Sequence, residues 1–196
     1  MQTFLVLYFI LFFGLVFILP VYRVWKSTGV NPYKLGSADT AHDYIGKNFR
    51  LVIIAYFLVV ILFAFLPDIY QLLIPISYLA NTYLTILGTT LLGIALTWIL
   101  IAQIHMQKSW RIGIDEDVKT ELVQNGLFKI SRNPIFLGMR ILLFGLFLMI
   151  PNAATLAIMI TGNLLVQIQV RLEEEFLART HGESYLAYRK QVRRWI

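Results

Sequence analysis

Five apolar runs constrain this chain more than any other feature, because each is close to the length that crosses a bilayer. They cover residues 4–21, 51–66, 83–104, 135–150 and 153–170. About 20 apolar helical residues cross a hydrocarbon core of ~30 Å, so the second and fourth runs are short, yet the pattern predicts five transmembrane helices. A sixth run, residues 69–79, is shorter still and contains Pro75, which predicts an interfacial or a re-entrant segment.

The composition agrees with a membrane protein and excludes several other classes. Hydrophobic residues make up 58% and charged residues 14% of the 196 positions, whereas soluble domains contain about 25% charged residues. Soluble enzymes, disordered tails and DNA-binding modules are therefore excluded, and no nucleic-acid partner is expected in spite of the net charge of +6. The sequence has no cysteine, which excludes disulfides and thiolate chemistry. We expect a single all-α integral membrane domain over residues 1–196, with the N-terminal spans in 1–104.

The basic residues predict the orientation. Sixteen of the 17 Lys and Arg residues fall in residues 22–50, 105–134 and 171–196, after the first, third and fifth runs. None precedes the first run or lies in residues 67–82 or 151–152. Because cytoplasmic loops carry the excess of positive charge, we expect the N-terminus outside and the C-terminus in the cytoplasm. The first run has neither a basic leader nor a small-residue cleavage site, so we expect a retained span rather than a signal peptide.

Polar residues follow one face of the fifth run. Asn163, Gln167 and Arg171 recur every four residues and lead to Glu174 or Glu175. Such a stripe is costly against lipid and normally faces other helices or a wet cavity. For Asn163 and Gln167, interhelical hydrogen bonding and ligand binding both stay open, whereas a functional role is favoured for the charged end.

Arg140 is the basic residue that lies inside an apolar run. It either snorkels to the headgroups or faces the polar stripe, where it would hold a carboxylate or an anionic ligand. We therefore assign Arg140 and Gln167 as candidate substrate-binding residues.

The fourth and fifth runs are separated only by Pro151 and Asn152. A proline there cannot continue the fourth helix, so the sequence predicts a tight C-terminal helical hairpin. Gly138 and Gly145 lie on one face of the fourth run. Their spacing favours close helix packing, with ligand contact as the alternative.

Two segments beside the membrane contain turn-forming and charged residues that a simple connection between helices does not require. In the first, Asn125-Gly126 predicts a tight turn, and Asn133-Pro134 predicts a helix start whose free amide groups can bind an anion. In the second, the adjacent carboxylates of residues 173–175 suit a cationic ligand, or pair with Arg171, Arg132 and Arg140, or form a solvated acidic helix start.

The C-terminal residues have a helical apolar repeat. Tyr185, Tyr188, Val192 and Trp195 recur at spacings of three and four, opposite Arg and Lys residues. This pattern predicts an amphipathic helix lying on the anionic cytoplasmic leaflet.

Five short motifs follow one another in a specific order from Ser109 to the C-terminal region. They are SWRIG at 109–113, LVQNGLF at 122–128, SRNPIFLG at 131–138, RLEEEFL at 171–177 and HGESYLAY at 181–188. Together they resemble the isoprenylcysteine carboxyl methyltransferase family and its phospholipid methyltransferase relatives. The resemblance implies several spans, a helical hairpin and a cytoplasmic S-adenosylmethionine site closed over by the C-terminal segment, so that residues 105–196 would form the cofactor loop, hairpin and cap.

The resemblance also implies a reaction and the residues that serve it. The reaction is methyl transfer to a lipophilic acceptor, either the carboxylate of an isoprenylcysteine-like substrate or a lipid headgroup. Arg171 and Glu174 would act at the chemistry. The cofactor-binding residues would be Leu122, Val123, Gly126, Phe128, Arg132, Asn133, Pro134, Phe136, Gly138, Glu173 and Tyr185.

This sequence departs from the family at three positions. Asn133 stands where His is more common, and Phe136 stands where Tyr is more common and lacks its hydroxyl. The family's arginine on the fifth span lies about half a turn earlier, at Gln169 here, which leaves Arg171 or another residue to orient the acceptor.

Two other functions stay open from the sequence. The first is an NADPH-dependent membrane sterol or enone reductase, whose C-terminal half is similar in outline. Those reductases have an Arg-His-x-Asn-Tyr turn and a cysteine, and this chain has neither. An inactive scaffold of the same fold would explain Asn133 and Phe136. No metal is expected, because His42, His105 and His181 are too widely spaced to share a helical ligand pattern.

Overall fold

The computed structural model describes residues 1–29, 40–110 and 121–196. Its main helices are α1 (Gln2–Thr28), α2 (Ala41–Phe65), α3 (Thr82–Met106), α4 (Pro134–Met149), α5 (Ala153–His181) and α6 (Glu183–Gln191). Three basic residues used for the orientation, Lys34, Arg111 and Lys119, lie outside the described residues, as do residues 111–113 of the first motif.

Four helices, α1, α2, α3 and α5, are long and apolar enough to cross a membrane. The expectation of five spans is met only in part, because α4 is apolar but has 16 residues, which corresponds to a rise of about 24 Å. The second run is not short in the structure: α2 begins at Ala41, where the Thr40 side chain accepts a hydrogen bond from the Asp43 amide. An apolar run marks where lipid can surround a helix, whereas caps decide where the helix begins.

Helices α3 and α4 pack closely where Gly88 on α3 faces Gly145 on α4. A Cβ atom on Gly88 would lie 2.7 Å from the Gly145 carbonyl oxygen, and one on Gly138 would lie 2.5 Å from Ile99 Cγ1. The packing role predicted for Gly138 and Gly145 is confirmed by these contacts, since no larger residue fits there without movement.

Side-chain hydrogen bonds to backbone carbonyls join the helices across the core. Tyr8 and Tyr56 donate to the carbonyls of Leu92 and Leu143, at 2.9 and 3.0 Å. Gln103 donates to the Val16 carbonyl at 2.8 Å, within a π-helical turn of α1 over Gly14–Ile18. A π-helical turn alters the regular carbonyl ladder, so a side chain from α3 can use that acceptor.

The tight hairpin between α4 and α5 is present. Asn152 is fully buried and forms a capping box with Thr155 at the start of α5. The preceding connection between α2 and α3 packs on this turn, with Ile76 donating to the Pro151 carbonyl and Ala153 donating to the Ile74 carbonyl. Residues 69–79 therefore form short turns at the hairpin end of the molecule and do not cross it.

The predicted C-terminal helix is shorter than expected and faces a different surface. It ends at Gln191 rather than continuing to Trp195, and Val192 has extended backbone. Tyr185 and Tyr188 are buried inside the protein, not presented to a leaflet. The expectation was wrong on this point, because the same apolar repeat can pack on a neighbouring loop as well as on lipid.

Candidate active site

The site is built where α3 ends, α4 begins and α5 ends, opposite the hairpin turn. Its first part is the turn Gly126–Lys129, in which Gly126 has a φ of +57°. A Cβ atom on Gly126 would overlap the His105 ring, and the Leu127 amide donates to His105 Nδ1 at 3.3 Å. Glycine is therefore required by both the backbone angle and the space, and the turn is fixed to the end of α3.

The C-terminal segment, residues 189–196, lies along the residues that precede α4. The Arg132 amide donates to the Arg193 carbonyl at 3.0 Å, and the Ser131 hydroxyl donates to the Arg194 carbonyl at 3.2 Å. The Arg132 guanidinium also donates to the carbonyls of Arg189 and Val192. These bonds hold the C-terminal segment over the start of α4.

Glu174 is the centre of the site. It is only 4% exposed, and Arg132, Asn133 and Arg194 all donate hydrogen bonds to its carboxylate. The Nη2 atoms of Arg132 and Arg194 lie 3.0 and 2.8 Å from its oxygens. A buried carboxylate costs several kcal/mol unless it is paired, so this triad of partners is what allows Glu174 to remain ionised here.

Tyr185 lies beside this cluster and is fully buried. Burial, and then the negative charge of Glu174, raise the pKa of its hydroxyl to about 12, while Arg132 opposes the change. The Arg132 guanidinium is directed at Glu174, and the Tyr185 hydroxyl has no hydrogen-bond partner of normal geometry within the described residues. A buried hydroxyl without a partner is unfavourable, so this atom is a candidate ligand contact.

Phe128 and Tyr188 join the turn to α6. Phe128 is buried, and its carbonyl accepts a hydrogen bond from the Tyr188 hydroxyl at 2.6 Å. The Tyr188 ring also meets the Tyr185 ring edge-on, at a centroid distance of 6.1 Å. The apolar face of α6 thus closes over the turn to which the family resemblance assigns cofactor binding.

Arg140 and Asn163 form a second polar pair between α4 and α5. Arg140 Nε donates to Asn163 Oδ1 at 2.7 Å, and its guanidinium stacks on the Trp195 ring at 4.6 Å from the centroid. Of the two alternatives for Arg140, the structure supports the one in which it faces the polar stripe.

Arg171 and Gln167 lie apart from Glu174. Arg171 is exposed and donates to the Gln167 carbonyl at 2.7 Å, one turn earlier on α5. Glu173 accepts a hydrogen bond from Gln169 at 2.9 Å. The structure therefore does not bring Arg171 into contact with the buried carboxylate, although both belong to one sequence motif.

The remaining predicted residues surround the start of α4. Leu122 and Val123 are half-buried in the irregular segment before the turn, and Phe136 is half-buried in the first turn of α4. The Pro134 carbonyl accepts a hydrogen bond from Trp98 at 2.9 Å, and Gly138 packs on Ile99. Pro134 and Gly138 thus contribute to the packing of α3 on α4.

Arg194 is the main residue that sequence reasoning missed at this site. The apolar repeat of residues 185–195 predicts a longer amphipathic helix with Arg194 among the Arg and Lys residues of its polar face, which would direct it to solvent. Because α6 ends at Gln191, Arg194 instead reaches Glu174. The sequence offers one signal for this contact, the excess of arginines close to an acidic triplet, but no spacing that selects Arg194.

The fold and the site together define an all-helical integral membrane protein with a buried, ion-paired carboxylate at one end of its helices. The sequence profile of the phospholipid methyltransferase family matches residues 83–184, about half of the chain. The chain belongs to this family, a group of membrane methyltransferases that includes the isoprenylcysteine methyltransferase-like proteins. No curated protein sequence matches the chain.

The matched region contains most of the site. It runs from α3 to the start of α6 and includes Arg132, Asn133 and Glu174, whereas Tyr185 and Arg194 lie beyond it. Within the part of the chain that the structure describes, no group of three or more His, Cys, Asp or Glu residues could hold a metal ion.

Proposed function

We propose that this protein transfers a methyl group from S-adenosylmethionine to a lipid-like acceptor at the site centred on Glu174. The observation that carries this proposal is the pairing of buried Glu174 with Arg132 and Asn133, two residues from the motif at the start of α4. All three lie in the region that matches the phospholipid methyltransferase family.

The residues of the site fit S-adenosylmethionine. One carboxylate faces two guanidinium groups, so the Glu174 cluster has a net positive charge that suits the carboxylate of the cofactor's amino-acid end. The Asn133 side chain bonds to Glu174 rather than capping α4, so the first-turn amides of α4 add to this preference for an anion. The Tyr185 hydroxyl offers a further donor and acceptor.

The bound cofactor supplies an electrophilic methyl group on a sulfonium. The contribution of this chain is to bind and to orient, since holding two reactants in line at about 3–3.5 Å accounts for much of the barrier reduction in such transfers. Phe128 and Phe136 provide aromatic faces that suit a sulfonium cation. The C-terminal segment, held on residues 131–133, excludes water from the buried carboxylate.

The acceptor is a lipid headgroup or the carboxylate of an isoprenylcysteine-like molecule, and both are amphiphiles that reach the site from the bilayer. A carboxylate acceptor needs no general base, whereas an amine headgroup must lose a proton before it reacts. We place the site and the C-terminus in the cytoplasm and the N-terminus outside, on the distribution of the basic residues.

Calorimetric titration of the detergent-purified protein with S-adenosylhomocysteine, and with NADPH as control ligand, tests the cofactor. We expect binding of S-adenosylhomocysteine and none of NADPH. Glu174→Gln should weaken S-adenosylhomocysteine binding by about tenfold or more, because Arg132, Asn133 and Arg194 lose the carboxylate that holds their side chains in place, and this loss of positioning outweighs the gain in positive charge. Glu175→Gln is the matched control, since Glu175 is exposed one residue away, and should change affinity less than about twofold.

Two outcomes would contradict the proposal. Binding of NADPH alone would assign the protein to the reductases, and binding of neither ligand would indicate a scaffold without this activity. The melting temperature of each variant in detergent separates a lost ligand contact from a lost fold.

A further inference from the structure

The connection between α2 and α3, residues 66–81, reaches the α4–α5 turn through its backbone. The Ile76 amide donates to the Pro151 carbonyl at 2.9 Å, and the Ala153 amide donates to the Ile74 carbonyl at 3.1 Å. Between these two bonds, Pro75 pairs with Asn152 in an antiparallel bridge. The middle of the connection therefore lies at the level of the α4–α5 turn.

The α4–α5 turn lies below the end of α3. A Cβ atom on Gly88 would lie 3.1 Å from the Met149 nitrogen, so the last residue of α4 is level with Gly88. Helix α3 begins at Thr82, six residues before Gly88, which corresponds to about 9 Å further out.

The turn also lies below the end of α2. A Cβ atom on Gly162 of α5 would lie 3.5 Å from Val52 Cγ1 of α2, so these two positions are level. From Val52, α2 continues to Phe65, a rise of about 20 Å. From Gly162, α5 extends back to Ala153, a rise of about 14 Å. Helix α2 thus extends about 6 Å beyond the turn.

The ends of α2 and α3 beside this connection are apolar, which places them at the edge of the hydrocarbon core. The apolar runs 51–66 and 83–104 extend to these two ends, and Asp68 is the one charged residue in positions 51–107. Because the connection dips about 6–9 Å from that edge, its middle residues lie inside the leaflet.

The exposed side chains of the connection suit lipid. Leu72, Ile74 and Tyr78 are 77%, 69% and 80% exposed. Residues 66–81 contain neither Lys nor Arg. Contiguous exposed apolar side chains are unfavourable in water, whereas tyrosine is common where the hydrocarbon core meets the headgroups.

The backbone of the connection meets the requirement for irregular structure at membrane depth, which is that its polar groups are paired within the protein. The amides of residues 74, 79 and 80 donate to carbonyls of residues 71, 76 and 77, and Pro75 has no amide hydrogen. Ile74 has a φ of +55°, a costly conformation for a β-branched residue. The structure keeps this conformation where the Ile74 carbonyl bonds to the α4–α5 turn.

We propose that residues 66–81 form a re-entrant loop in the leaflet opposite the candidate active site, with Leu72, Ile74 and Tyr78 in contact with lipid. The loop covers the α4–α5 turn, so α4 ends against protein inside the leaflet and needs no further residues to reach the membrane surface. This assignment is independent of the proposed methyl transfer.

Nitroxide labels on single cysteines of the full chain in phosphatidylcholine vesicles test the loop. Leu72→Cys, Ile74→Cys and Tyr78→Cys are the test variants, and the natural chain has no cysteine to give background. Spin relaxation measures the collision of each label with oxygen, which concentrates in hydrocarbon, and with a neutral nickel chelate, which concentrates in water. The measured quantity is the ratio of the oxygen collision rate to the nickel collision rate.

Three further single-cysteine variants calibrate the depth. Lys129→Cys is exposed at the other end of the molecule, and Ile94→Cys replaces a residue 47% exposed in the middle of α3. Gln71→Cys is the polar neighbour of Leu72 and precedes the dip. At the three test positions we expect a ratio several-fold higher than at Lys129→Cys and lower than at Ile94→Cys, with Gln71→Cys close to Lys129→Cys.

Two results would overturn the proposal. Ratios at the test positions equal to that of Lys129→Cys would place the loop in water. Low collision rates with both reagents would show that protein, such as a second copy of the chain, covers the loop in place of lipid. The melting temperature of each labelled variant verifies its fold, and Leu72→Cys and Tyr78→Cys carry the test if Ile74→Cys does not fold.

Discussion

Neighbouring carboxylates of the same chemistry have different environments at the end of α5. Glu174 is 4% exposed and bonded to Arg132, Asn133 and Arg194, whereas Glu175 is exposed. Successive residues of a helix are turned by about 100°, so one carboxylate of a triplet can face the protein while the next faces solvent. The helical stripe leaves Glu174 and Glu175 open, the family resemblance implies Glu174, and Glu174 is the one that the structure buries.

At the residue scale, Tyr185 gives a prediction about alkaline pH. The pKa of its hydroxyl is raised to about 12, first by burial and then by Glu174. The folded state therefore favours the neutral phenol, and its contribution is complete below pH 10, the pKa of a free tyrosine, and is lost as pH rises towards 12. We expect the melting temperature of the wild type in detergent to fall between pH 10 and 11 more steeply than that of Tyr185→Phe.

The same variant should not be destabilised at pH 7, because the hydroxyl that it removes has no hydrogen-bond partner within the described residues. A large loss of stability at neutral pH would show that this hydroxyl is bonded in the folded protein. Parallel pH profiles of the two proteins would show that another group controls the alkaline transition.

At the element scale, the contact between α3 and α4 depends on residues without side chains. A Cβ atom on Gly88 would lie 2.7 Å from the Gly145 carbonyl oxygen and 2.8 Å from Met149 Cγ, whereas one on Gly93 would meet nothing within 4 Å. Both glycines belong to α3. Replacing either glycine by alanine changes the helix propensity of α3 by the same amount. A difference in stability between the two variants therefore reports the packing against α4.

Gly88→Ala should destabilise the protein by about 1–3 kcal/mol, because the backbone of α4 must move away. Gly93→Ala should be neutral or slightly stabilising, since alanine restricts the unfolded chain. Unfolding of the detergent-solubilised variants by increasing SDS measures the difference. Equal effects of the two substitutions would contradict the close approach of α3 and α4.

The apolar repeat near the C-terminus predicts a longer helix than the structure contains. Tyr185, Tyr188, Val192 and Trp195 have helical spacing, yet the helix ends at Gln191. The backbone of residues 193 and 194 instead accepts hydrogen bonds from residues 131–133, and Trp195 stacks on Arg140. Long-range hydrogen bonds and an ion pair outweigh the small helical preference of a chain end.

At the scale of the whole molecule, the connections alternate between two ends. The α2–α3 connection and the α4–α5 turn contact each other at one end, through residues 74–76 and 151–153. The Gly126–Lys129 turn and α6 meet at the other end, where the basic residues concentrate. This arrangement agrees with the alternation that the charges predict, and the orientation itself can be measured.

The chain has no cysteine, so single cysteines report the orientation without background. Gln71→Cys and Lys129→Cys place a thiol at exposed positions of the two ends. In intact cells an impermeant maleimide should label position 71 and leave position 129 unlabelled until the membrane is opened. Labelling of position 129 alone would reverse the proposed orientation.

The sequence by itself determined the membrane class, the apolar helices, the hairpin turn and the motifs that surround the site, because lipid length, proline and local turn chemistry act over a few residues. The tertiary structure decided which side chains meet: Glu174 rather than Glu175, Arg194 rather than Arg171, and Asn163 with Arg140. Such contacts join residues that are 20 or more positions apart. The rotation of each helix and the path of its ends set these pairs, and both follow from packing between helices rather than from the periodicity within one.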